Sequence, residues 1–261
     1  MLNRVLVSSV AIVVSSVLAG LAGAQQWGDL EGTIVFKGPA PTPEKIVADK
    51  DPAFCGPKML IDEQILVDKA SGGLLNVVVY LSDPPGSKPM IHADYEKLAA
   101  EPVKIDNDKC RFEPHVATLW TKQKLVIGNK DPLGHNTKAD FFNNQTVSFN
   151  TTIPQGATLE KKFDVAEASP AKLECSIHPW MNCHLLIRED PYAAITGKDG
   201  KFVIKNLPVG EHTFKVWHQT GYLSNVAVDG KAMMWPRTGV KLTIKAGKNS
   251  LGKVEASPKP R

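Results

Sequence analysis

Cys175, His178 and Met181 stand three residues apart in the run Cys175-Ser-Ile-His178-Pro-Trp-Met181, so a thiolate, an imidazole and a thioether share one short segment. Forty residues upstream, Asp131-Pro-Leu-Gly-His135-Asn136 brings a second imidazole on a separate loop. One soft thiolate, two imidazoles and a weak thioether suit a mononuclear, redox-active copper better than they suit magnesium or calcium, which prefer oxygen donors. In that arrangement Cys175 supplies the strongest covalency and Met181 is the weak axial donor. Taken singly, a Cys or a Met is ordinary core material and a His is a common surface residue. Four of them in this order are not ordinary.

Such a site needs a rigid cage, because fast electron exchange requires the donors to stay put when the charge on the ion changes. The flanking sequence predicts strands and turns. Leu74 to Leu81 is a β-branched run closed by Asp83-Pro84-Pro85-Gly86. Lys124 to Ile127 precedes the His135 loop, Lys172 to Glu174 leads into the Cys175 loop, and Leu185 to Ile187 leads out. Thr146 to Phe149 reads as a strand before the turn at Pro154-Gln155-Gly156, and Lys201 to Ile204 and His212 to Val216 bracket Asn206-Leu207-Pro208-Val209-Gly210 as another strand–turn–strand unit. Ile91 to Ala100 is the one short helix candidate. With 19 prolines and little helical periodicity, the fold class is all-β, built from sandwiches.

The metal-loop spacing resembles that of the cupredoxins, amicyanin and plastocyanin in particular. Cys-x-x-His-Pro-x-Met and the upstream His135-Asn136 pair carry the likeness, which extends over about residues 102 to 189 and includes Phe112-Glu113-Pro114 before a strand. The resemblance implies a Greek-key β-sandwich holding one type 1 (blue) copper through His135, Cys175, His178 and Met181. It also implies that Asn136 restrains the Cys175 loop. His178 is expected near the surface, with Leu133, Pro179 and Trp180 forming an apolar rim where a redox protein partner docks.

A second resemblance begins after Pro191. Thr196-Gly-Lys-Asp199-Gly200-Lys-Phe202 followed by Leu207-Pro208-Val-Gly210 is similar to the carboxypeptidase-regulatory-like, transthyretin-like sandwich. That family opens with a Gly-x-Val-like strand and a second apolar strand, and the matching pieces lie far upstream at Glu31 to Gly38 and Asn76 to Leu81. The expected organisation is therefore a signal peptide at 1–24, a split regulatory-like sandwich at 27–83 and 190–256, and a cupredoxin domain with its connecting segment at 84–189, inserted between the halves. Two sandwiches adjacent in sequence are the plainer alternative. Trp217 reads as core beside a surface His218.

The N-terminus assigns a compartment. Arg4, an apolar stretch from Val5 to Leu21 and Ala22-Gly23-Ala24 form the charged, apolar and small-residue regions of a secretory signal. The expected location is periplasmic or otherwise exported, with no stable membrane insertion after cleavage. An oxidising compartment permits disulfides. With Cys175 committed to metal, Cys55, Cys110 and Cys183 leave one bridge and one odd thiol. Cys55–Cys110 is favoured, since it staples the preceding region to the first strand of the sandwich, and Cys110–Cys183 is the alternative.

Other chemistries find little support. The formal charge of +4 is spread without a basic run carrying interleaved aromatics, so no nucleic-acid partner is expected. Seven residues separate Cys175 from Cys183, where a binuclear copper loop has three. His92, His115, His184, His212 and His218 form no recognisable second copper set, and no Cys-x-x-Cys-His, Gly-x-Ser-x-Gly or Walker loop occurs. The chain is expected to be no enzyme and to carry no catalytic residue. Its leading function is an exported blue-copper electron-transfer module, and the alternative is a non-redox copper-binding, copper-delivery or surface-binding protein on the same scaffold.

Overall fold

The computed structural model describes residues 26–84 and 86–259; the expected signal peptide lies outside them. The described residues form an all-β structure of four sheets. In the first sheet Trp27–Phe36 runs antiparallel to Lys201–Pro208 and parallel to Gly247–Ala256, which continues to Asn225–Val228 and Lys231–Met234. The second places Val78–Leu81 between Ala193–Ile195 and Gly210–His218, with Val240–Ile244 also on Gly210–His218. Strands from both ends of the chain thus share these two sheets. Leu30, Ile34, Leu74, Val79, Phe202, Ile204, Phe214 and Val254 fill the space between them.

The other two sheets draw only on residues 103–188. One has Val103–Asn107 parallel to Leu125–Asn129, flanked by Phe112–Glu113 and Thr158–Lys161. The other has Val116–Trp120 parallel to Asn182–Arg188, followed by Ala171–Glu174, His135–Ala139 and Phe149–Ile153. Ile105, Phe112, Leu119, Ile127, Phe163, Leu173 and Leu185 close this inner core. Alternation explains the packing, because every second side chain of a strand points to the same face. Leu185 and Ile187 therefore enter the inner core while Leu186, on the opposite face, meets Val78, Tyr80, Val116 and Trp217 between the sandwiches. Val78–Leu81 is buried at all four positions for the same reason: Val79 and Leu81 serve one core, Val78 and Tyr80 the joint.

Local chemistry sets the boundaries. Asn76 takes a left-handed φ of 61°, so the predicted 74–81 strand narrows to Val78–Leu81. The expected strand over Thr146 to Phe149 is corrected: Gln145–Val147 is a 3-10 turn and the strand begins at Phe149. There Ser148 Oγ accepts from the Phe141 N–H, and Asn144 C=O accepts from the Val147 N–H, so local hydrogen bonds replace the ladder. The helix candidate is present as a 3-10 turn at Ala93–Tyr95 and a short α-helix at Glu96–Ala100. Gly200 has φ of 72°, and a Cβ there would fall 2.1 Å from the Ile34 carbonyl oxygen, so only glycine fits this turn. No helix among the described residues is long and apolar enough to cross a membrane.

Candidate metal centre

His135 opens one strand, Cys175 directly follows another that ends at Glu174, and Met181 directly precedes a third that starts at Asn182. The strands are neighbours in one sheet, so their ends deliver three of the four side chains without a long loop. The connecting turn is held by two backbone hydrogen bonds, from the Cys175 N–H to the Met181 carbonyl and from the Met181 N–H to the His178 carbonyl. His135, Cys175 and His178 each offer a donor atom, and these atoms lie within 4.8 Å of one another. Met181 is buried in the same core cluster as Cys175. Among the described residues this is the one cluster of three or more His, Cys, Asp or Glu with such spacing.

Both imidazoles are anchored by the nitrogen that faces away from the thiol. His135 Nε2 lies 2.8 Å from Asp131 Oδ2, and His178 Nε2 lies 2.8 Å from Asp51 Oδ2. A carboxylate only accepts, so each Nε2 carries the proton and each Nδ1 is left for the site. His178 Nδ1 is 3.8 Å from Cys175 Sγ. His135 Nδ1 is fully buried with no hydrogen-bond partner, a costly state unless another atom occupies the space in front of it. Asp131 is itself tied down by the backbone N–H groups of Lys109 and Cys110 at 2.6 and 2.8 Å. Asn129 completes the loop: its Oδ1 accepts from the Asp131 N–H and its Nδ2 donates to the Leu133 and Ile153 carbonyls.

Asn136 bridges the two loops. Its Oδ1 accepts from the Ser176 N–H at 2.7 Å and the Ile177 N–H at 3.2 Å, and it lies 3.4 Å from the Cys175 thiol. Its Nδ2 donates to Asn150 Oδ1 at 2.7 Å. This is the restraint on the Cys175 loop that the resemblance implied.

The electrostatics favour a thiolate. Burial alone would push the Cys175 thiol up, but the neighbouring His135 ring, the His178 and Asn136 backbone and the His178 ring outweigh it and bring it down to about 7. Burial likewise opposes the charged form of His135, yet Asp131 and Cys175 hold its pKa above the usual imidazole value. Asp131 is held below the ordinary carboxylate range: burial works against its charge, and the His135 ring and two backbone N–H groups overcome that. Cys183, eight positions after Cys175, is the opposite case. Burial drives its thiol strongly upward, and it is a free, inert core residue. The favoured bridge, Cys55–Cys110, is formed.

One expectation is overturned. His178 is not near the surface: its side chain is 0 % exposed. Asp51, from the segment 45–61, reaches its Nε2 at 2.8 Å. Trp180 is half-buried, donating its indole N–H to the Cys110 carbonyl and packing 5.3 Å from the His178 ring. The His178 edge is therefore not exposed, while Pro179 is exposed and Leu133 half-buried. Asp51 escaped sequence reasoning because no local motif marks it and it lies 127 residues from His178.

The remaining histidines do not join the centre. His212 bonds Asp83 and the Pro208 carbonyl, and His92 accepts from the Asp94 N–H. His218 is buried rather than on the surface. Burial, with the charge of His115 second, lowers its pKa to about 4. His115 and His184 approach within 5.9 Å on the wall of a cavity of about 260 Å³ between the sandwiches, which Glu63, Arg111 and Gln219 also line. There Gln219 donates to the Glu63 carbonyl oxygen, so its own oxygen faces His115 Nε2 at 2.8 Å, and Glu63 Oε2 stands 3.5 Å from His115 Nδ1. This set clasps one sandwich to the other.

No protein-family model matches the sequence, and no curated protein matches it. Among solved structures the chain is similar to a purple cupredoxin from Nitrosopumilus maritimus, at 21% identity over 33% of this chain and 98% of that one, with a TM-score of 0.27. It is similar also to a copper-containing nitrite reductase from Thermus scotoductus SA-01, at 18% identity over 41% of this chain and 27% of that one, TM-score 0.29. A mutant of amicyanin in its Cu(I) form shares 13% identity over 42% of this chain and 98% of that one, TM-score 0.29.

Proposed function

We propose that this chain is an exported type 1 copper protein that acts as an electron-transfer module, with one mononuclear copper held by His135 Nδ1, Cys175 Sγ, His178 Nδ1 and Met181. The observation that carries the reading is the convergence of two imidazoles, each committed through Nε2 to a carboxylate, on a buried cysteine whose thiol is brought down to about 7. The donor set fits copper, because thiolate and imidazole together select it and the orphaned His135 Nδ1 needs a partner. When bound, the ion supplies one-electron chemistry between Cu(I) and Cu(II). The protein's part is to exclude water, hold the donors in one arrangement and keep Cys175 out of disulfide exchange. Burial of all four side chains and the Asn136 bridge serve those ends. The chain is no enzyme on this reading, and no catalytic residue is assigned.

The copper sandwich at 84–189 is, on the same reading, a domain inserted into a regulatory-like sandwich formed by 27–83 and 190–256. A redox protein partner docks near His178. Export follows from the N-terminal signal pattern.

Copper reconstitution tests the assignment. One equivalent of copper is expected to give an intense visible thiolate-to-copper band and a narrow EPR hyperfine pattern, and Cys175→Ser is expected to lose both. A Cys175→Ser protein with the parent spectrum would remove Cys175 from the site. Stoichiometric copper that stays colourless under oxidation would favour storage or delivery instead.

A further inference from the structure

The segment that brings Asp51 to His178 is built to stay there. It leaves the first strand after Phe36 and folds on itself through the Lys45–Ile61 bridge and the hydrogen bond from the Ile46 N–H to the Leu60 carbonyl. Ala48, Cys55 and Leu60 are buried in the same core as Cys175 and Met181, with Ile46 and Phe54 packed against it. The Cys55–Cys110 bridge bolts it to the inner sandwich beside the turn whose N–H groups hold Asp131. At its tip Asp51 takes a left-handed conformation, φ 46° and ψ 47°, and its carbonyl accepts from the Phe54 and Cys55 N–H groups. A non-glycine residue at such a φ is uncommon, and Asp and Asn tolerate it better than most. The conformation aims Oδ2 at His178 Nε2, 2.8 Å away, while the other face of the carboxylate meets solvent: the Asp51 side chain is 49 % exposed against 0 % for His178.

We infer that Asp51 is a positioning residue for the metal centre: by holding the proton of His178 on Nε2 from a segment outside the inner sandwich's strands, it fixes the ring and presents Nδ1 to the ion. His178 sits on a turn, unlike His135, which is held within a strand, so its ring orientation depends on this outside contact. The two histidines are thereby matched, each with a carboxylate on Nε2, although Asp131 is local in sequence and Asp51 is 127 residues away. Carboxylates in this place raise ligand basicity and fix the tautomer, and their loss costs about 10–100-fold in metal affinity. The inference rests on His178 being a copper ligand.

Asp51→Gly deletes the carboxylate and suits the backbone, since glycine accepts φ 46° without strain. Asp51→Asn keeps both an acceptor oxygen and the backbone preference. In the metal-free full chain, imidazole ¹⁵N NMR is expected to show His178 with its proton on Nε2 in the parent and in Asp51→Asn, and a mixture of tautomers in Asp51→Gly. Copper loss to a chelator is expected to be about 10–100-fold faster from Asp51→Gly and close to the parent rate from Asp51→Asn. If the parent takes up copper and Asp51→Gly keeps both the parent tautomer and a release rate within about twofold, far below that range, Asp51 has no positioning role. If the parent takes up no copper, the ligand assignment fails and the inference falls with it. The two failures are read from different samples.

Discussion

Replacing Asn136 with alanine isolates the bridge between the two ligand loops. The side chain is 5 % exposed and makes three short hydrogen bonds, two as acceptor from the Ser176 and Ile177 N–H groups and one as donor to Asn150. All three are part-buried, so water can replace them only in part. At about 0.5–1.5 kcal/mol net for each bond, with a further cost for any donor left unsatisfied, Asn136→Ala should lose roughly 2–4 kcal/mol. Urea unfolding of the metal-free protein would show this as a lower midpoint at unchanged slope. The same change frees the Cys175 loop. The thiol itself is not expected to rise, because the Asn136 group that lowers it is the backbone, which alanine keeps, while the lost Oδ1 accepted from the S–H and favoured the neutral form. Asn136→Asp separates the effects: it keeps the acceptor and most of the stability, yet its negative charge beside the sulfur pushes the thiol up, which ultraviolet thiolate absorbance follows directly. A stability loss under about 0.5 kcal/mol in Asn136→Ala, below one net hydrogen bond, would refute the bridging role.

The clasp between the sandwiches should be pH-dependent. Burial opposes the charged form of His115, but Glu63 and Gln219 together raise its pKa above 6.5, so its stabilisation is complete below that value and is lost as pH rises through the folded-state pKa. Glu63→Gln should therefore cost more stability at pH 5 than at pH 9, and equal losses in denaturant titrations at the two pH values would contradict the pairing. The Cys55–Cys110 bridge spans 55 residues, for which loop entropy gives about 4 kcal/mol. The Cys55→Ser/Cys110→Ser double variant should lose stability of that order, seen as a lower thermal midpoint, and an unchanged midpoint would show that the segment 45–61 is held by packing alone.

The clustering of donors at the candidate site was legible in part because its signal is local. Cys175, His178 and Met181 sit on one turn, and a tight turn between paired strands leaves few directions for three side chains. The strand pattern around them, with Leu173, Leu185 and Ile187 as core, follows from period-two alternation, which is a property of the backbone and not of the fold. The free state of Cys183 and the favoured Cys55–Cys110 bridge also agree with the structure. Thr146 to Ser148 misled because β-branched residues suit a strand, while here hydrogen bonds of Asn144, Gln145 and Ser148 make a 3-10 turn cheaper. The burial of His178 was hidden for a different reason. Its partner Asp51 comes from the segment 45–61, and no periodicity links a residue to a ring 127 positions away.

The sequence by itself determined which atoms can meet a metal: donor types, their order, and the short spacing that obliges them to face one way. Those are consequences of covalent connectivity and side-chain chemistry, and they hold whatever surrounds them. Only the tertiary structure decided how the donors are tuned and reached. Asp51 and Asp131 choose the tautomers, Asn136 joins the loops, the pairing of partners around Cys175 lowers its thiol, and packing takes His178 out of solvent. Each of these depends on distances of about 3 Å between groups set by packing of whole sheets and a disulfide, a scale at which hydrogen bonding and desolvation act and which the order of residues alone does not specify.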